Sequence, residues 1–303
     1  MTMRAIAILI AFLLIIGCSN SADQLRKEAS EHFDNGSYTL AKQLLDSLIN
    51  SGDASYREFF MRGSCKFNLE DYEGAIADYQ KVIELGQDKD PEVYYYKGSA
   101  QYYLNQFEPA IQDLTMAITL KPENAEALSL RGDSWMATGQ IDSALTDFNR
   151  SIEINDKLSG PYFSLGNHFA SISSYDQALT YYSQAIELEP KPDYLYNRGL
   201  IYHLENDMQN AHNDFSYVIS LNGSYIDAYI MLGTVKDEVG NSVEALADFN
   251  EAIRLDPKNG FAFFNRGITK RTLGDNKGAC EDFNKALELG YMEAIAKIGD
   301  CSI

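Results

Sequence analysis

From Ala22 to Met292 the sequence repeats about every 34 residues, as a glycine, an alanine twelve positions on and a large residue four beyond that. Gly132, Ala144 and Phe148 form one copy. Gly166, Ala178 and Tyr182 follow, then Gly199, Ala211 and Phe215, then Gly233, Ala245 and Phe249, then Gly267, Ala279 and Phe283. Upstream, Gly63, Ala75 and Tyr79 keep the spacing, as do Gly98, Ala110 and Leu114, with Ala29, Ala41 and Leu45 as a weaker first copy. A unit this short cannot bury a core by itself, so successive units must stack, and the chain reads as one continuous array.

Within residues 226–259, Tyr229, Leu232 and Gly233 share one helical face, and Ala245, Phe249 and Ala252 share another. Gly240-Asn241 breaks the pattern between them, and Pro257 ends the second helix. The copy Tyr162-x2-Leu165-Gly166-x2-Phe169, Ala178-x3-Tyr182 and Pro190 resembles the tetratricopeptide repeat. The resemblance covers 22–293 as 22–55, 56–89, 91–124, 125–158, 159–191, 192–225, 226–259 and 260–293. It implies an all-α, right-handed superhelical solenoid of about eight helix-turn-helix repeats. A C-terminal capping helix is expected over 291–303, where Met292, Ile295 and Ile298 fall at helical spacing and would cover the last hairpin. Glycine at position 8 and alanine at position 20 let the paired helices approach, and the large residue at position 24 fills the space beside them. Two irregularities interrupt the count: a longer loop at Gly86–Asp90 and a shortened connection at Pro190-Lys191-Pro192.

Charge follows the same period. Position 7 carries Arg62, Lys97, Arg131, Arg198 and Arg266, and position 23 of those repeats carries Asp78, Asp113, Asp147, Asp214 and Asp282. Where position 7 is Leu165, position 23 is Tyr181, although Leu232 still stands opposite Asp248. Pairing with the preceding repeat's position 23 would set Arg62 against Leu44, so the pairs are expected inside each hairpin. Their role is structural, as fixers of helix register.

The amino terminus reads as an address. Arg4 precedes an apolar run from Ala5 to Ile16, too short to span a bilayer as a helix and suited to a signal peptide over 1–17. Ile15-Ile16-Gly17-Cys18 resembles a bacterial lipobox, which implies cleavage before Cys18, a lipid on its sulfur and a lipidated tether over 18–21. Ser19 stands where an aspartate would retain an enteric lipoprotein at the inner membrane, favouring the outer membrane facing the periplasm. Ser21 with Gln24 reads as a capping box opening the first helix. Cys280, at position 21, and Cys301 are candidates for a disulfide in such an oxidising compartment, leaving Cys65 as a buried thiol.

The formal charge of −19 argues against nucleic acid and biases the surface toward basic or polar partners. The four histidines, His32, His168, His203 and His212, are scattered over different repeats, with no metal-ligand cluster, nucleophile motif or phosphate loop. No enzyme, cofactor or metal is therefore expected.

In tetratricopeptide proteins the first helix of each hairpin lines a concave groove through positions 2, 5, 9, 12 and 13. Carried onto this chain, the resemblance assigns partner binding to Phe60, Phe67, Tyr95, Tyr102, Tyr103, Phe163, Tyr196, His203, Phe261, Phe264 and Arg271, interleaved with acids such as Glu92, Glu126, Asp133 and Glu238. Some of these rings are expected to pack between hairpins instead. The basic clamp of the family's chaperone-tail binders is missing, since position 5 is never lysine and only Asn167 supplies the asparagine at position 9. The expectation is a membrane-anchored scaffold that binds other envelope proteins or peptide segments, the alternative being a glycan-binding lipoprotein of an uptake system.

Overall fold

A computed structural model describes residues 22–301 of the chain. The expected signal segment, Cys18 and Ser21 lie outside those residues. The chain divides into two compact units that meet in sequence between Asp156 and Lys157. The first holds α1 (22–34), α2 (Tyr38–Ser51), α3 (Tyr56–Asn68), α4 (Tyr72–Glu84), α5 (Pro91–Tyr103), α6 (Phe107–Leu120), α7 (Ala125–Ala137) and α8 (Ile141–Ile154). The second holds α9 (Ser159–Ser171), α10 (Tyr175–Leu188), α11 (Pro192–Leu204), α12 (Met208–Leu221), α13 (Ile226–Glu238), α14 (Ser242–Leu255), α15 (Gly260–Thr272) and α16 (Asn276–Glu288). No strand occurs among the described residues. Odd-numbered helices are the first, or A, helices of the hairpins; even-numbered ones are the B helices.

Local chemistry sets the helix ends. Ser55 and Glu58 form a reciprocal capping box on α3, and Asp71, Asp90, Asn124, Asp207, Asn259 and Asp275 accept from first-turn N–H groups of their helices. Pro91 and Pro192 open α5 and α11, where a missing N–H costs nothing. Each hairpin turns at position 15, and the residue there has positive φ in Gly36, Glu70, Asn105, Gly139, Ser173, Asn206, Gly240 and Gly274 alike.

The hairpins close on the repeated small residues. Ala41, Ala75, Ala110, Ala144, Ala178, Ala211, Ala245 and Ala279 are wholly buried at position 20. A Cβ added at Gly132 would come within 2.6 Å of the Phe148 ring, and one at Gly166 within 2.5 Å of Tyr182. Glycine at position 8 is thus the space into which the ring at position 24 fits.

The five expected ion pairs form inside their hairpins: Arg62–Asp78, Arg131–Asp147, Arg198–Asp214 and Arg266–Asp282 with Nε–Oδ2 distances of 2.7–2.8 Å, and Lys97–Asp113 at 3.2 Å. The arginines also reach across to the preceding hairpin. Arg62 Nη1 donates to Asp46 at 2.8 Å, Arg131 Nη1 to Thr115 at 3.0 Å, Arg198 Nη1 to Ser183 at 3.0 Å and Arg266 Nη1 to Asn250 at 2.7 Å. All four acceptors occupy position 25. One planar guanidinium therefore clips its own B helix to the previous one, which the single charge of lysine does not do at Lys97. Position 11 supplies the variants. Lys236 replaces the missing base opposite Asp248 at 2.6 Å, Lys66 and Lys270 add a second cation to Asp78 and Asp282, and Phe169 stacks on Tyr181 beside Leu165.

Beyond α16 the chain makes 3-10 turns at Met292–Ala294 and Gly299–Cys301 around a single α turn, Ile295–Ile298 (α17). The cap is therefore a chain of short turns, and its inward face differs from the expected stripe. Ala294, Ile298 and Cys301 pack on Phe264, Phe283 and Ala286, whereas Met292 is 64% and Ile295 53% exposed. The tighter 3-10 winding rotates successive side chains off the α-helical spacing. A disulfide joins Cys280 of α16 to Cys301, with Cα atoms 5.6 Å apart. Cys65 is a buried free thiol, its pKa pushed up to about 11 by burial.

Candidate functional site

Position 5 was expected to face a partner, and the structure assigns four of its five candidates to packing. The Phe60 ring lies 5.6 Å from Tyr79, Phe163 5.8 Å from Tyr182, Tyr196 5.7 Å from Phe215 and Phe264 5.8 Å from Phe283. Every partner is the position-24 ring of the same hairpin. Phe163 also stacks on Tyr194 at 4.3 Å, Tyr196 meets Tyr225, and Phe264, 9% exposed, meets Tyr291. Position 5 stands one turn from the position-8 glycine, so its ring covers the edge of the large residue that this glycine admits. Burial pushes Tyr196 up to about 12.

Three other candidates of the second unit are engaged internally. His203 Nε2 lies 2.8 Å from Glu238 Oε2, joining α11 to α13. Arg271 donates to the Lys297 carbonyl at 3.1 Å and lies over the Phe283 ring at 4.7 Å, so it holds the C-terminal turns. Phe261, 39% exposed, leans on Tyr291 at 5.6 Å.

The candidates of the first unit are half-buried or exposed. Phe67 and Tyr103 meet edge to face at 5.7 Å, and Tyr102 touches Tyr103 and Phe107. Tyr103 is 54% exposed and stacks at 5.2 Å on Tyr72, a B-helix residue that groove positions drawn only from A helices leave out. Burial pushes Tyr102 up to about 12, with the Asp133 carboxylate of α7 adding to the effect. Tyr95 is likewise raised by burial, with Glu126 among the contributing charges. The tyrosines of α5 thus stand beside the carboxylates of α7. The basic side chains of these two helices, Lys97 and Arg131, are both committed to Asp113 and Asp147. This surface presents phenol rings and negative charge, with no cation of its own left to offer.

Among the described residues there is no cluster of three or more His, Cys, Asp or Glu able to hold a metal ion, and no helix long and apolar enough to cross a membrane. Two family models, each described as tetratricopeptide repeat, match the sequence. One covers residues 95–158 and 163–215; the other covers 59–88, 226–259 and 262–289. Together they span about two thirds of the chain. It belongs to the tetratricopeptide-repeat family. Its membership points to protein–protein interaction through stacked helix pairs. No curated protein matches the sequence. Among solved structures, the tetratricopeptide chain is similar to YrrB, described as a TPR protein with an unusual peptide-binding site. That likeness has 21% identity and a TM-score of 0.55, covering 61% of this chain and 96% of YrrB. It is similar to PilF of Pseudomonas aeruginosa at 15% identity and a TM-score of 0.61, over 70% of this chain and 99% of the other. The C-terminal part of a TPR repeat-containing protein from Cytophaga hutchinsonii matches at 16% identity and a TM-score of 0.60, over 78% and 98%. At these identities the likeness is one of fold.

Proposed function

We propose that this tetratricopeptide protein is a membrane-tethered adaptor of the bacterial envelope, without chemistry of its own. Cys18 carries the lipid after removal of residues 1–17, and the repeats lie in the periplasm at the outer membrane. A segment of a partner protein docks on the A-helix surface of the first unit. The observation that carries this reading is the surface of α5 and α7, where tyrosines stand among carboxylates and both basic residues are locked away. A cationic partner segment fits it, since lysine or arginine can lie over a phenol face while pairing with Glu92 or Glu126. YrrB, a chain of similar fold, is described as having a peptide-binding site, which supports a peptide segment as the ligand.

A photo-crosslinking residue at Tyr103, used in cells and followed by mass spectrometry, identifies the partner. The expected result is one predominant protein adduct that disappears with Glu126→Lys while thermal unfolding is unchanged. Adducts that persist in Glu126→Lys would remove the docking surface from α5 and α7. The anchor is tested separately. Cys18→Ser is expected to move the chain from the membrane to the soluble fraction, and unchanged sedimentation would count against lipidation.

A further inference from the structure

The single tryptophan of the chain stands in a cleft that the docking surface does not use. Ile111 and Gln112 of α6, Arg131 and Trp135 of α7, and Ser143 and Asp147 of α8 line a cavity of about 690 Å³, opening between two successive B helices. That volume lies within the roughly 300–1,000 Å³ usual for small-molecule sites. Trp135 occupies position 11. In five other hairpins this position sends a lysine to the position-23 carboxylate, as Lys66, Lys236 and Lys270 do, or lays a ring on a neighbour. Phe169 lies on Tyr181 in this way, and Tyr202 lies against the Arg198 guanidinium. Among the described residues, Trp135 makes no such ring or cation contact, and the side chains of Gln112 and Ser143 have no hydrogen-bond partner.

The charges at the base of the cleft are already matched. Arg131 grips Asp147 through two hydrogen bonds of 2.7 and 2.8 Å and gives its remaining nitrogen to Thr115. An anionic ligand would meet Asp147 and a cationic one Arg131, with neither charge free to answer it. What remains is one flat indole face and a neutral rim: the Gln112 amide, the Ser143 hydroxyl and the indole N–H. A purely apolar ligand would strip water from all three and leave them unpaired.

We propose that this cleft binds a neutral carbohydrate, with the C–H face of one pyranose ring on Trp135 and its hydroxyls on Gln112 and Ser143. A sugar ring combines the two properties the cleft asks for, an apolar face and an uncharged edge of donors and acceptors. None of the eleven residues first assigned to partner binding lines the cleft.

The lone tryptophan makes the test direct, because its emission reports on this cleft alone. The full chain in detergent is titrated with cellotriose, maltotriose and N-acetylglucosamine trimer, and then screened on an array of neutral glycans. The expected result is a saturable emission change with at least one neutral glycan. Gln112→Ala or Ser143→Ala, both of which keep the fluorophore, should weaken it about tenfold, the effect of losing one ligand hydrogen bond. Melting temperatures of both variants should stay unchanged. The proposal is overturned if no neutral glycan gives a saturable response, if both variants respond as the native chain does, or if a proline-rich peptide alone produces it.

Discussion

At position 15, where every hairpin reverses, the backbone is left-handed whatever residue stands there. Glycine takes this conformation freely at Gly139 and Gly240, whereas Glu70 has φ 62° and Ser173 φ 57° with a Cβ to accommodate. Glu70→Gly and Ser173→Gly are each expected to raise stability by about 0.5–1 kcal/mol, after allowing for the greater freedom of glycine in the unfolded chain. A higher urea midpoint at constant m-value checks this, and a fall in midpoint would place the strain elsewhere. Glu58 shows a different residue-scale effect. Burial pushes its pKa up, but hydrogen bonds from the Ser55 hydroxyl and N–H and from Arg26 outweigh this and hold it below the ordinary carboxylate value. A carboxylate with a depressed folded pKa contributes stability above its unfolded pKa of about 4.3 and loses it as pH falls through the folded value. Glu58→Gln should therefore lower stability near neutrality and flatten its decline below about pH 4.3, which urea titrations at several pH values would show.

Between elements, the repeated arginine does two jobs, inside its hairpin and across to the previous one. Its own partner was legible in the sequence, because positions 7 and 23 vary together. Its second partner was not, since Asp46, Thr115, Ser183 and Asn250 share no residue type and only the fold places them at one guanidinium nitrogen. Arg131→Leu leaves Asp147 buried without its cation and is expected to cost about 3–5 kcal/mol. Arg131→Leu with Asp147→Leu should recover most of that loss, as the natural Leu165 and Tyr181 arrangement implies. A double-mutant cycle by urea denaturation measures the coupling, and additive effects would mean that the pair is dispensable. At the carboxyl end, the Cys280–Cys301 bond closes a loop of 21 residues. Cys301→Ser, or reductant on the native chain, should cost about 3 kcal/mol in the last hairpin, read by hydrogen exchange at Phe283 and Ala286. Reductant should do nothing further to the variant.

For the molecule as a whole, the formal charge of −19 bears on what it meets. Capture of a cationic segment should weaken steeply as salt rises from about 0.05 to 0.5 M, because exposed charges more than roughly a Debye length apart become screened. Binding indifferent to salt would assign recognition to the tyrosines rather than the carboxylates. The candidate residues also differ in how far packing claims them. In the second unit, Phe163, Tyr196, Phe264, His203 and Arg271 are occupied with packing, a cross-helix pair and the C-terminal turns. In the first, Tyr103 remains at the surface.

The order of helices, the places where hairpins open and turn, and the pairing of position 7 with position 23 were all determined by the sequence. They depend on small residues, apolar faces and charges recurring at fixed intervals, and a period survives in one dimension. Which aromatic rings face a partner was decided only by tertiary structure. Phe60 and Tyr103 look alike as aromatic residues on A helices, yet one lies on Tyr79 and the other stands mostly in solvent. The difference comes from place on the helix: Phe60, at position 5, meets the position-24 ring of its own hairpin, whereas Tyr103, at position 13, keeps an open face beside Phe67 and Tyr72. The inward face of the C-terminal turns was settled in the same way, since 3-10 winding breaks the spacing from which a helix would have been read.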